Sequence, residues 1–453
     1  MGIQSKLDYI SSLGVKAICL SPIYTSPMVD FGYDIQDFKS IDQKFGTLDD
    51  FQNLLKEVKQ RGLKLVMDFV PNHSSDQHEW FQKSILGEDP YKDYYVWAPP
   101  KAIVNGKPIP PNNWVSVFGG SAWEWNEERA SFYLHQFSKH QPDLNFRNPA
   151  VVREMLEIIE FWLEIGVDGF RIESLAYLYE DISLRDEPHS SNPTAASDYA
   201  KLDHVYTYNL PEVRDTVAQF RHVLDKYANS TDQINRLMMA EVYDSVENTM
   251  KFYGDEKHPL ADFPFNFLLI TQLNNHSTAE DVMETVNMWL SNVPPNKWSN
   301  WGLGDLDNSR VATRFGAELV DGLNMLALLL PGTAITYAGE EIGMEDTPVT
   351  WDENLDPAGR NAGPKYYQYI TRDPQRTPMQ WNSEKNAGFS DANSTWLPIN
   401  ENYKTVNVEA QLNGPSHLSV YKALVKARKS PAIMYGSLDM KVLNNNTVLA
   451  FTR

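Results

Sequence analysis

Two periods of apolar and polar residues take turns along this chain. Residues 15–21 (VKAICLS) and 63–70 (LKLVMDFV) are short apolar runs that read as buried strands. Between them, TLDDFQNLLKEVKQRG sets Phe51, Leu54, Leu55 and Val58 at the i, i+3, i+4, i+7 spacing of a helix with one buried face. Thr47 and Asp50 stand at capping-box spacing at its start, and Gly62 closes it. The pattern returns at VVREMLEIIEFWLEIG, where Val152, Met155, Leu156, Ile159 and Leu163 share a face, and leads straight into VDGFRIE. Later strand candidates are 236–242, 263–270, 300–307 and 333–339, each apolar through its body and polar at its C-terminal end.

Such alternation predicts a parallel sheet covered by helices. The number of repeats favours a closed (β/α)8 barrel, a TIM barrel, in which catalytic groups sit at the C-terminal ends of strands. Residues 75–147, rich in Pro, Trp and Asn, are too long for an ordinary βα loop and are expected to form an inserted small domain after the third barrel strand. The expected division is a barrel from 1–74 and 148–399, an inserted B-type domain at 75–147, and the start of a β-rich C-terminal module at 400–453.

Composition narrows the partners. The 453 residues are 42% hydrophobic and 22% charged, ordinary for a soluble globular protein, and no apolar run is long enough to span a bilayer. A net charge of −20 argues against a nucleic-acid or anionic-membrane partner and suits a neutral substrate. The 12 Trp and 22 Tyr furnish a large core, and they also offer flat surfaces for the apolar faces of sugar rings. Cys19 stands alone and cannot form an internal disulfide. Glycosylation sequons begin at Asn72, Asn229, Asn275, Asn393 and Asn445.

Polar clusters close one strand after another: Asp68, Asn72 and His73; Arg171 and Glu173; Glu241; Asp305, Asp307 and Arg310. Any one has an ordinary explanation, since strand-end Asp and Asn cap turns and a buried Glu finds an Arg. Carboxylates at three strand ends of one barrel point instead to glycoside hydrolysis. With retention, that reaction needs a nucleophile and an acid/base about 5–5.5 Å apart. Arg171, two residues before Glu173, lies on the same strand face and is placed to keep that carboxylate ionised.

The motifs DFVPNH (68–73), QPDLN (141–145), GFRI followed by an acid (169–173), AEVYD (240–244) and DNSR (307–310), in this order, resemble glycoside hydrolase family 13, the α-amylase family. DFGYD (30–34) and RDPQRTPMQW (372–381) resemble its oligo-1,6-glucosidase and maltase group, and HPLADFPFNF (258–267) resembles insect maltases. The resemblance implies a secreted α-glucosidase without cofactor or metal, acting on the non-reducing glucose of maltose-, sucrose- or oligosaccharide-type substrates by retaining double displacement. It implies Glu173 at the nucleophile position, Glu241 as acid/base and Asp307 as transition-state stabiliser. Asp30, Arg372 and Arg376 would close the pocket around the glucose, Tyr33 would stack on it, His73 would bond its hydroxyls, and Arg171 would orient the nucleophile. Ser174, small where α-1,6-specific relatives often carry Val, resembles the α-1,4-preferring members.

The chain departs from the family in three places. The family's nucleophile is Asp, and the extra methylene of Glu173 moves the carboxylate by about 1.5 Å, where a misplacement of about 1 Å can cost about 10²-fold in rate. Leu306 stands where the family has a His that bonds the substrate. The family's first barrel strand and the full C-terminal β module are not found in the sequence, which is expected to lack them. Two further readings follow: a catalytically silent relative that binds sugar or a protein partner, and a transporter heavy-chain ectodomain. The latter calls for a membrane span before the barrel and loss of the acid/base, yet Glu241 is present.

Overall fold

The computed structural model describes residues 2–191 and 197–453. Strands β1 (Ala17–Leu20), β2 (Lys64–Phe69), β3 (Gly169–Ile172), β4 (Leu237–Ala240) and β5 (Phe263–Pro264) pair in parallel and in chain order. Strands β6 (Asn300–Gly302) and β7 (Thr333–Ile335) form a second parallel pair. The main helices are α1 (Leu48–Gln60), α2 (Pro149–Ile165), α3 (Glu212–Ser230), α4 (Ala279–Asn292), α5 (Val320–Leu329) and α6 (His417–Arg428).

Local sequence dictates α1 fully. Thr47 and Asp50 form a reciprocal capping box, Phe51, Leu54, Leu55 and Val58 are its buried residues, and Gly62 turns left-handed at its end. In α2 the buried face is Val151, Val152, Met155, Ile158, Ile159, Trp162 and Leu163, so Leu156 lies at its margin rather than within it. Trp162 anchors the helix by donating its indole N–H to Phe38 O at 2.8 Å.

The expected strand 263–270 is a correction: only Phe263–Pro264 is extended, and Leu268–Thr271 is helical. Pro264 has no N–H to give a ladder, and the seam to β6 is made by side chains. Asn266 N donates to Asn300 Oδ1 at 2.8 Å, Asn266 Nδ2 to Asn300 O at 3.1 Å, and Asn300 Nδ2 to Pro264 O at 2.7 Å. Both asparagines are buried. The two groups of strands are thereby stitched into one curved wall.

A second correction concerns the C-terminal segment. Residues 408–435 are largely helical, not β-rich, and extended structure is confined to the hairpin Asp439–Leu443 and Val448–Thr452. Helix α6 begins at a Ser416 capping box and buries Leu418, Tyr421, Leu424 and Val425 in one cluster with Leu13, Leu328, Ile342 and Met344. It therefore packs as part of the barrel's helical layer.

Between β2 and α2 the chain builds a three-stranded antiparallel sheet, Trp97–Ala98, Ser131–Leu134 and Trp123–Asn126, and a separate hairpin, Ala102–Val104 with Lys107–Ile109. The sheet has its own apolar cluster around Trp114, Trp123 and Phe132. It returns to the barrel through a bridge between His73 and Asp143.

Strands β3 and β4 carry two of the site carboxylates just beyond their ends, and Gly169 lets them approach. A Cβ at Gly169 would lie 2.3 Å from Leu237 O and 2.8 Å from Leu237 N, both backbone atoms with no freedom to yield. Gly169→Ala is expected to cost about 1–3 kcal/mol of stability by overpacking, read as a fall in the denaturant midpoint. An unchanged midpoint would mean that the two strands separate freely.

Candidate active site

The register of the parallel strands sets the site. Arg171 on β3 pairs with Asp68 on β2, so both side chains point to the same side of the wall, and Ile172 pairs with Ala240, which brings Glu173 and Glu241 to adjacent strand ends. The guanidinium of Arg171 is buried and donates to Asp68 Oδ2, to Glu241 Oε1 and, at 3.2 Å, to the Tyr33 hydroxyl. Tyr33 in turn donates to Asp68 Oδ2 at 2.9 Å. Glu241 Oε2 accepts from Ser174 N at 3.2 Å. Ser174 holds a left-handed backbone, φ 52°, a conformation that non-glycine residues adopt mainly where surrounding structure enforces it.

Glu173 is treated differently. It is half-buried, and among the described residues its Oε2 is sealed from solvent without a hydrogen-bond partner. Burial and then the charge of Glu241 push its pKa well above the usual carboxylate range, with Arg171 only partly opposing. Burial also pushes Glu241 up to about 7, against the pull of Arg171. The two interact, so the pair shares its titration. With Arg171 bonded to Glu241, the guanidinium favours ionisation of Glu241 before Glu173.

On the other side of the site, Asp307 is half-buried and accepts from Arg376 at 2.7 Å and Arg372 at 3.4 Å. Burial alone would raise its pKa, but Arg376, Arg372 and Arg171 outweigh it and hold Asp307 below its ordinary value. Arg372 also donates to Asp30 Oδ1 at 2.9 Å and to the fully buried Asp356, and its guanidinium lies 4.6 Å from the Phe118 ring centre. Arg376 donates to Leu306 O at 2.9 Å and lies 5.0 Å from the Phe31 ring centre. Leu306 itself packs against the principal apolar cluster. His73 is buried, with Nδ1 2.8 Å from Asn72 Oδ1 and Nε2 3.1 Å from Gln141 Nε2, and burial pushes its pKa down to about 3. Eight of the nine sequence-derived residues fall into two hydrogen-bonded networks, Arg171, Tyr33 and Glu241 in one and Asp307, Arg372, Arg376, Asp30 and His73 in the other, with Glu173 beside the first.

Several participants escaped the sequence reading. Asp356 caps the helix Pro357–Ala362 and grips Arg372, but in LDPAGR it looks like an ordinary turn. Tyr243, two residues after Glu241, stacks on Phe267 with ring centres 3.8 Å apart and donates to Asp305 Oδ2 at 2.9 Å. Gln141 belongs to the QPDLN motif, in which nothing in the sequence singles it out. Among the described residues, no group of three or more His, Cys, Asp or Glu could hold a metal ion, and no helix is long and apolar enough to cross a membrane.

A parallel barrel whose strand ends gather acid pairs beside buried arginines defines a glycoside-hydrolase catalytic domain. The sequence pattern described as "Alpha amylase, catalytic domain" matches residues 1–436. Maltase 1 of Drosophila virilis is 49% identical over 448 residues, spanning 98% of this chain and 71% of that protein. The salivary alpha-glucosidase of Aedes aegypti is 47% identical over 453 residues, 99% and 78% of the two. An amino acid transporter heavy chain of Rattus norvegicus is 44% identical over 459 residues, covering 100% of this chain and 65% of that protein. Among solved structures, the alpha-glucosyl transfer enzyme XgtA superposes with a TM-score of 0.90 at 34% identity, over 99% of this chain and 83% of that one. The chain belongs to the alpha-amylase family, glycoside hydrolase family 13.

The buried acids set the pH dependence of folding. Burial raises Asp143, Glu180 and Glu241 to about 7 and Glu340 to about 8, whereas it lowers His73 to about 3 and His78 and His135 to about 4. The lowered histidines are neutral when folded, and the protons they still bind unfolded oppose the acids only at the bottom of the window from about pH 6.5 to about pH 8. The raised acids still bind more protons folded than unfolded there, so stability falls as pH rises through their folded values. The melting temperature is expected to be lower at about pH 8 than at about pH 6.5. A rise over that window in a thermal melt would overturn the assignment of neutral buried acids.

Proposed function

We propose that this protein is an α-glucosidase that releases glucose from the non-reducing ends of maltose-, sucrose- or oligosaccharide-type substrates with retention at the anomeric carbon. The carrying observation is the pair Glu173 and Glu241, one acid beyond each of two adjacent strands, with Glu241 titrating at about 7. Glu173, ionised, attacks the anomeric carbon and forms a glycosyl ester while Glu241 gives its proton to the departing glycosidic oxygen. Glu241 then takes a proton from water, whose oxygen attacks the same carbon, and the Glu173 carboxylate is released with glucose. A pKa near neutrality suits an acid that must also act as base. Asp307, kept ionised by two arginines, is suited to hold sugar hydroxyls and to favour positive charge developing on the ring. Asp30 and Arg372 close the far end of the pocket.

The resting arrangement is the wrong one for the first step, because the guanidinium lies on Glu241, the intended proton donor, while burial opposes the charge on Glu173. Turnover requires Arg171 to shift its charge toward Glu173 as substrate enters. The added methylene at 173 and the apolar Leu306 both work against that step. A silent sugar-binding relative is the less favoured reading, since the similar maltase and salivary alpha-glucosidase carry hydrolase names.

We assign 75–147 to the inserted domain. The outer edges of β1 and β7 carry no ladder partner among the described residues. We also infer secretion. The sequon asparagines Asn229, Asn275, Asn393 and Asn445 are exposed, while Asn72 is buried with its amide donating to Tyr177 O. Glycopeptide mass spectrometry of protein from a secretory host should find glycan at one or more of the four and none at Asn72. A glycan on Asn72 of folded protein would contradict the site geometry.

Glucose release from maltose tests the activity. Glu173→Asp is expected to raise kcat by about tenfold to 10²-fold, and adding Leu306→His to raise it by about another decade through one recovered hydrogen bond. If the natural protein already works within about tenfold of the Asp variant, Glu173 is an adequate nucleophile position by the same distance argument. Inactivity of all three proteins, each shown to be folded, would defeat the hydrolase reading.

A further inference from the structure

Gln141 sits at the junction of the inserted segment and the barrel, fully buried, and every polar atom of its amide is engaged. Its Oε1 accepts from Ser138 N at 3.0 Å, and because a backbone N–H can only donate, this bond fixes which end of the amide is nitrogen. Nε2 then directs one hydrogen to Asp30 Oδ2 at 3.1 Å and the other to His73 Nε2 at 3.1 Å. His73 Nε2 therefore accepts from Gln141, and its proton is on Nδ1, donating to Asn72 Oδ1, with the Tyr33 backbone carbonyl as a further acceptor facing the ring. The Asn72 amide is fixed in the same way, since its Nδ2 donates to Tyr177 O. With Oδ2 of Asp30 held by Gln141, Oδ1 is the oxygen left to meet Arg372 at 2.9 Å.

We propose that Gln141 is a positioning residue of the glucose pocket: its amide turns Asp30 toward Arg372 and fixes His73 as the Nδ1–H tautomer. Neither of those residues can reorient without Gln141 losing a bond in a site closed to water. The inserted segment thus delivers a template to the barrel through one side chain, and Gln141 needs no contact with the sugar to act.

The proposal rests on the α-glucosidase reading of the pocket, and its test separates the two. D-glucose binding is measured by calorimetry on the natural protein, Gln141→Glu and Gln141→Met. The groups facing position 141 are Asp30 and His73, with Arg372 and Arg376 behind Asp30, Asp34 beneath its backbone, and Asp143 and the His140–Asp76 pair on its own segment. Gln141→Glu has nearly the same shape. While protonated it can still donate to Asp30, and once ionised it repels it. Its affinity relative to the natural protein is expected to match at about pH 5 and to fall about tenfold by about pH 7.5 as the two acids compete for one proton. Gln141→Met, with no donor, is expected to bind about tenfold more weakly at both pH values. Ring nitrogen shifts of His73 supply a second readout, with the Nδ1–H form in the natural protein and a mixture in Gln141→Met. Glucose binding equal in all three proteins at both pH values, or an unchanged His73 tautomer in Gln141→Met, overturns the proposal. Failure of the natural protein to bind glucose at all overturns the pocket reading instead, and the His73 spectra still decide the role of Gln141.

Discussion

Everything at the mouth of this barrel hangs on where one guanidinium places its charge. Arg171 is buried between Asp68 and Glu241, with the Tyr33 hydroxyl completing its bonds. Removing one member of such a buried set costs about 3–5 kcal/mol, since the partner is left charged and dry. Arg171 therefore serves the fold first, by tying β2, β3 and the end of β4 together, and it serves the chemistry as a consequence. The acid that it holds ionises more readily than the acid that it leaves. That choice, more than the identity of either acid, separates a resting site from a working one.

The rest of the pocket follows the same logic with signs alternating outward. Asp307 lies between Arg372 and Arg376, Arg372 reaches on to Asp30 and Asp356, and Gln141 passes the constraint to His73 without adding charge. A chain with net charge −20 needs its cations where acids are densest, and the site concentrates them there. The result is a pocket of opposed charges that suits a neutral, hydroxyl-rich ligand better than an ion, because an ion would have to break a pair to enter.

Much of this was legible in the chain. Helix α1 could be read in full because its signals are local: a capping box, one apolar face and a terminal glycine. The clustering of Asp68, Glu173, Glu241 and Asp307 could be read because parallel strands always deliver their ends to one side. What could not be read depends on partners far away in sequence. The run FPFNFLLI looks like a strand whether or not Pro264 interrupts it, and only the presence of Asn300 explains how β5 stops after two residues. Helix α6 is the exception, since Leu418, Tyr421, Leu424 and Val425 recur at helical spacing behind a capping box and are a local signal. The preference of Arg171 for Glu241 over Glu173 depends on register and rotamer, and neither is written in GFRIES.

The joint between β5 and β6 differs in kind from the rest of the wall. A backbone ladder is indifferent to side-chain identity, so mutation can wear away a strand's sequence for a long time before its pairing fails. The Asn266–Asn300 seam has no such tolerance, because its bonds belong to two amides. Closure of this half of the barrel is thus encoded at two codons, and the continuity of a whole domain is inherited like an active-site residue.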